Sequence, residues 1–136
     1  MNHDQEALDF WSRATQTLRT ARGITGDNDS VANRCYYAAF HAVSALFAAE
    51  GKIFQTHAGT QSAVHRDLVN TRRWPKELGA GYSFLLKIRL KADYGGRKHV
   101  LGDEAALALE TAGLILKSVH EANPDVFPLD LPPQNN

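Results

Sequence analysis

Arg34 and His41 stand seven residues apart in Asn33-Arg34-Cys35-Tyr36-Tyr37-Ala38-Ala39-Phe40-His41, the stretch of the chain whose residue types and spacing best suit chemistry. On an α-helix seven residues make almost two turns, so the two side chains return to within ~20° of one direction. Tyr37 falls between them on that face, and Ser30 and Ser44 extend the row at its ends. A guanidinium offers a planar fork of donors that fits two phosphate oxygens and keeps its charge. An imidazole titrates near working pH and can take or give a proton. Metal-independent RNA cleavage needs a base for the 2′-hydroxyl, a donor to the leaving 5′-oxygen and a cation for the charge developing at phosphorus. His41 fits the proton-transfer roles and Arg34 the cation, while Asn33 and Tyr37 can hold substrate or orient the imidazole. No Asp, Glu or Cys is placed beside His41, so neither a metal nor another cofactor is expected there.

The row needs a long helix to carry it. Gly26-Asp27-Asn28-Asp29 is a run of turn formers, Ser30 is a plausible N-cap, and Val31 to Glu50 is alanine-rich and aromatic before Gly51 closes it. With Arg34 as zero, Tyr36, Phe40, Val43 and Phe47 fall roughly 180° to 240° away and form the core stripe. Arg34 and His41 are therefore expected to point away from the core. Ala38 and Ala45 lie close to their direction, and such small residues predict close approach by another helix or by a second copy of the chain.

The rest of the chain also reads as helix. Asp4 can cap a first helix in which Leu8, Trp11, Thr15 and Leu18 recur at helical spacing until Gly23. After a loop at His57-Ala58-Gly59-Thr60, a shorter helix covers Gln61 to Val69. Trp74-Pro75 introduces a helix from Leu78 to Tyr94, stopped by Gly95-Gly96, and Asp103 caps a last helix that runs to Ala122 before Asn123-Pro124. The expected fold is all-α, an up-and-down bundle of four to five helices over residues 1–123. Residues 124–136 hold four of the five prolines and read as an extended or loosely tethered tail.

Composition bounds the function. At 136 residues and 43% hydrophobic content the chain has the size of one domain. Fifteen basic and fifteen acidic side chains cancel, so no global field draws nucleic acid or an anionic membrane, and phosphate binding must be local. The lone Cys35 excludes an intrachain disulfide and suits a reducing cytoplasm, with the thiol expected to be buried and inert. Neither a signal-like N-terminus nor an apolar run of membrane-spanning length is present, so a cytoplasmic protein without a membrane partner is expected.

Taken together, Ser30-x-x-Asn33-Arg34-x-Tyr36-Tyr37-Ala38-x-Phe40-His41, then Gly51, His57 and Gly59, then Arg89-x-x-Ala92-Asp93-Tyr94, resemble the small stand-alone HEPN domains, named as higher eukaryote and prokaryote nucleotide-binding domains. The resemblance runs from about Leu8 to Glu121. It implies a four- to five-helix bundle that dimerises, with an Arg-x4-6-His motif at the dimer cleft that carries metal-independent RNA cleavage in HEPN ribonucleases. Arg34-x6-His41 matches that motif, and Asn33 stands where a polar residue often accompanies the Arg. In the better-known HEPN toxins the motif lies in a later helix, whereas here it opens the second, so the resemblance implies the fold more directly than the activity. A homodimer would supply two imidazoles, one as base and its mate as acid.

The resemblance also gives Arg89 and Asp93 a second reading beyond an i,i+4 ion pair: they brace the second helix while Tyr94 lines the cleft. Tyr36 reads as core. His57 and His65 read as loop caps, His99 as a solvated member of a small basic patch, and His3 and His120 as surface residues. The leading expectation is a ribonuclease of toxin-antitoxin or defence type. The alternatives are a nucleotide-binding module using Arg34 for phosphate, and a non-catalytic regulatory partner of a minimal nucleotidyltransferase.

Overall fold

Alanines at helical spacing determine how the chain packs. The computed structural model describes residues 2–130. Its helices are α1 (Asn2–Gly23), α2 (Asn28–Ala49), α3 (His57–Ala63), which continues into a π-helical turn at Val64–Val69, α4 (Lys76–Tyr94) and α5 (Gly102–Ala122). Among the described residues there is no strand, and the architecture is the helical bundle that the periodicity predicts. Among the described residues, no helix is long and apolar enough to cross a membrane.

On α1 the inward positions are Ala7, Trp11, Ala14, Leu18 and Ala21, all buried and spaced four and three apart. Leu8, expected inward, is instead 45% exposed, because the neighbouring small Ala7 takes the inward position. On α2 Ala32, Ala38, Ala39, Ala42, Ala45 and Ala48 are fully buried. A helix with alanine on several sides lets neighbours approach closely from several directions, and α2 accordingly packs against α1, α3, α4 and α5. It is the central rod.

The ends of α2 follow from local chemistry. Asp27 rather than Ser30 is the N-cap: its carboxylate accepts from the Ser30 backbone nitrogen at 3.1 Å and from the Ser30 hydroxyl at 2.6 Å. A carboxylate at the positive end of a helix gains more than a hydroxyl does. Gly51, at φ +79°, takes the left-handed turn that ends α2.

Three further boundaries differ from the sequence reading. His57-Ala58-Gly59-Thr60 is not a loop; Thr56 caps α3 by accepting from the Gly59 nitrogen at 2.9 Å, and His57 is the first helical residue. Leu101, not Asp103, is the N-cap of α5; Glu104 reaches back to accept from the Leu101 nitrogen at 2.9 Å, and Asp103 accepts from the Glu104 nitrogen. The π turn, with its wider i→i+5 spacing, has no counterpart in a pattern based on 3.6 residues per turn. It meets α4 at Gly79, where a Cβ would fall 2.5 Å from Val69 Cγ2.

The start of the tail is docked. Phe127 is fully buried with its ring 5.3 Å from Trp11, the Trp11 indole donates to the Pro128 carbonyl at 2.8 Å, and His120 Nδ1 donates to the Phe127 carbonyl at 2.6 Å. His120 is thus a half-buried clasp rather than a surface residue. An aromatic side chain offers more apolar area than the flanking prolines can keep in solvent. Residues 131–136 of that segment lie outside the described residues, as does Met1.

Candidate functional site

The predicted row exists, and its two ends differ. At one end Asn33 Oδ1 accepts from Arg34 Nε at 3.0 Å and from Nη2 at 2.6 Å, which turns the guanidinium back along α2. Asn33 Nδ2 in turn donates to both Asp93 oxygens, at 3.1 and 3.3 Å. Arg89 Nη1 donates to Asp93 at 3.3 Å and to the Tyr37 hydroxyl at 3.2 Å. Both expected roles of the Arg89–Asp93 pair are present, since it is an i,i+4 ion pair and also ties α4 to the row on α2. Its side chains are 13% and 27% exposed, so the pair is shielded compared with an ordinary surface bridge.

The aromatic rings fill the space between the charges. Arg34 lies 5.3 Å from the Tyr37 ring centre, and Arg89 lies 5.1 Å from Tyr36 and 5.6 Å from Tyr37. Tyr36 is fully buried, as expected of a core residue, and burial raises its phenol pKa. Cys35 is also fully buried, and its thiol is pushed up to about 12 by burial, which makes it inert.

An open hollow of about 480 Å³ lies over the Arg34 end, lined by Asp29, Ser30, Asn33, Arg34, Ala92 and Asp93, with Ile24 at its edge. Asp29 at its rim accepts from the Val100 nitrogen at 2.8 Å and pairs with His99 at 2.7 Å; these bonds hold its carboxyl below the usual range. His99 is therefore paired with a carboxylate.

His41 is not among the residues lining that hollow. Its ring stacks on Phe10 of α1 at 6.3 Å and lies 6.1 Å from Tyr37, and its Nδ1 is buried without a hydrogen-bond partner. Burial pushes its pKa down to about 4, helped by the positive charges of Arg13 and Arg34 and by His57. The imidazole is neutral at pH 7. The face carrying Arg34 and His41 thus does not simply point away from the core: Phe10 of α1 stacks on His41, and Ala38 and Ala45 on the same face are fully buried. Ser44, at the far end of the row, borders a small crevice beside Phe10.

Tyr94 is 76% exposed and does not line the hollow. Helix geometry accounts for this, because Tyr94 follows Asp93 by one residue and points ~100° away from it. His57 and His65 cap no loop: His57 Nδ1 lies 2.7 Å from the Tyr36 hydroxyl, and His65 Nε2 lies 3.0 Å from Ser83 Oγ. Phe10, Arg13 and His57 are the site neighbours that the sequence reading missed. Among the described residues no group of His, Cys, Asp and Glu has the makings of a metal site.

Residues 7–122 match the HEPN domain family, a span that contains every residue of the row and of its support from α4. A UPF0332 protein of Thermotoga maritima is 37% identical over 98 residues, covering 70% of this chain and 74% of that relative. A UPF0332 protein of Gloeobacter violaceus is 31% identical over 93 residues, covering 67% of this chain and 74% of that relative. With the match spanning the whole bundle, the chain belongs to the HEPN domain family.

Proposed function

We propose that the protein is a metal-independent endoribonuclease of toxin-antitoxin or defence type, working as a cytoplasmic homodimer on RNA. The observation that carries this reading is the continuous row in which Tyr37 contacts both the Arg34 guanidinium and the His41 ring. Arg34 clamps the scissile phosphate and stabilises charge on it, held in aim by Asn33 and, through Asn33, by Asp93. Neutral His41 takes the 2′-hydroxyl proton. Domains of this family often dimerise. Leu90 and Tyr94, one turn apart on α4 and both exposed, offer apolar surface beside the Arg89–Asp93 pair on which a second copy can close the open hollow.

The test is cleavage of RNA in the presence of EDTA, with products ending in 2′,3′-cyclic phosphate and 5′-hydroxyl. His41→Ala is expected to lose about 10²- to 10⁴-fold in rate while its oligomeric mass stays that of the wild type. Retained cleavage in that variant refutes the assignment.

One observation favours a second reading. The hollow exposes Arg34 but not His41, as a nucleotide-binding module without catalysis requires, and such a module would suit a regulatory partner of a minimal nucleotidyltransferase. In that case calorimetry detects GMP or ATP binding that Arg34→Ala abolishes, and no RNA is cut.

A further inference from the structure

His57 is a titratable group outside the row that the fold brings against it. It opens α3 yet meets α2, with Nδ1 2.7 Å from the Tyr36 hydroxyl. Its ring stands 4.5 Å from Phe40 and 5.8 Å from Tyr37. His41 stands 5.6 Å from Phe40 and 6.1 Å from Tyr37. Two imidazoles from different elements of one chain therefore share the same two aromatic neighbours, and Arg89 lies over Tyr36 and Tyr37 beside them. His57 is only half-buried, whereas its partner Tyr36 is fully buried. The bond to Tyr36 engages Nδ1 and leaves Nε2 as the nitrogen available to a ligand.

We propose that His57 donates the proton to the leaving 5′-oxygen in the same chain whose His41 takes the 2′-hydroxyl proton, an inference that rests on the ribonuclease reading above. The 2′-hydroxyl proton passes to His41, and the freed oxygen attacks phosphorus. A P–O2′ bond forms and the P–O5′ bond breaks. The His57 imidazolium gives its Nε2 proton to O5′, leaving a 2′,3′-cyclic phosphate and a 5′-hydroxyl, and solvent then restores both histidines. Burial, then the Arg89 charge, keeps His57 below its ordinary pKa in the free protein. A phosphodiester anion bound beside Arg34 and Arg89 counters those cations and favours the charged imidazole. The second subunit then encloses the substrate but need not supply the acid.

The experiment compares full-length wild type, His57→Ala and His57→Asn on two RNA substrates, one ordinary and one with sulfur replacing the bridging 5′-oxygen at the scissile bond. A thiolate leaves without protonation, so only a missing acid is rescued by sulfur. Both variants are expected to cut ordinary RNA at least 10²-fold more slowly than wild type and to cut the sulfur substrate within a few-fold of it. His57→Asn retains an amide that can meet the Tyr36 hydroxyl, which separates loss of the proton from loss of folding. Equal slowing of His57→Asn on both substrates overturns the acid assignment alone, as does unimpaired cutting of ordinary RNA by either variant. Failure of the wild type to cut either substrate overturns the ribonuclease reading and this assignment with it.

Discussion

The Arg34 end and the His41 end of one helical row are both half-buried but have different neighbours. Arg34 borders an open hollow and is held by two hydrogen bonds to Asn33, whereas His41 is stacked under Phe10 with Nδ1 buried and unpartnered. Equal spacing on a helix guarantees a shared direction but not shared neighbours. Which neighbouring helix covers each turn decides that, and Phe10 of α1 stacks on the His41 turn. Asn33 orients the guanidinium, and the same fold holds the imidazole below its ordinary pKa.

Among the substitutions that test this comparison, the largest expected effect comes from removing the oriented cation. Arg34→Ala should slow RNA cleavage by roughly 10²- to 10³-fold, and Arg34→Lys should recover little of it, because an ammonium lacks the two-pronged fork. Efficient cleavage by Arg34→Lys would show that charge alone suffices and that the Asn33 orientation is incidental.

Next in size is the shifted imidazole. By NMR the His41 ring should titrate near 4, and Phe10→Ala should move it back toward 6.5 by admitting water. Since folding lowers this pKa, the unfolded chain binds the proton more tightly. The contribution to stability is therefore complete above about pH 6.5 and is lost as pH falls toward 4. Thermal melts between those values should show the loss, and His41→Gln should flatten it. A wild-type midpoint at 6.5 would erase the difference between the two ends.

The smallest effect tests the tether. Asn33→Ala frees Arg34 from both hydrogen bonds and leaves Asp93 with Arg89 alone; it should weaken substrate binding about fivefold, corresponding to ~1 kcal/mol, and leave the His41 titration unmoved. A shift of that titration would mean the two ends are coupled through α2.

Much of the bundle was legible because helix-forming spacing is a local property. Of the expected α2 stripe, Tyr36, Val43 and Phe47 are buried and Phe40 is half-buried, and Arg34, Tyr37 and His41 do line up. What periodicity could not resolve was a choice among close equivalents. Asp27, Asn28, Asp29 and Ser30 can all cap a helix, and Gly59 signals a loop until Thr56 is seen to cap across it. The docked tail was signalled by Val126, Phe127 and Leu129 among the prolines, apolar residues that an extended segment has no use for. The His57–Tyr36 bond was out of reach, because it joins residues 21 apart on elements whose mutual placement no spacing rule encodes. For a related reason the small residues Ala38 and Ala45 announced a neighbour on the His41 face without saying that Phe10 of α1 would stack there.

Because α2 is enclosed by α1, α3, α4 and α5, the amides of its buried middle turns should exchange with solvent more slowly than those of the outer helices. The row is therefore carried by the central helix, while its neighbours belong to more peripheral elements: Phe10 and Arg13 on α1, His57 at the head of α3, Arg89 and Asp93 on α4. If the row binds substrate as proposed, substitutions in those outer elements would tune it while α2 keeps its packing.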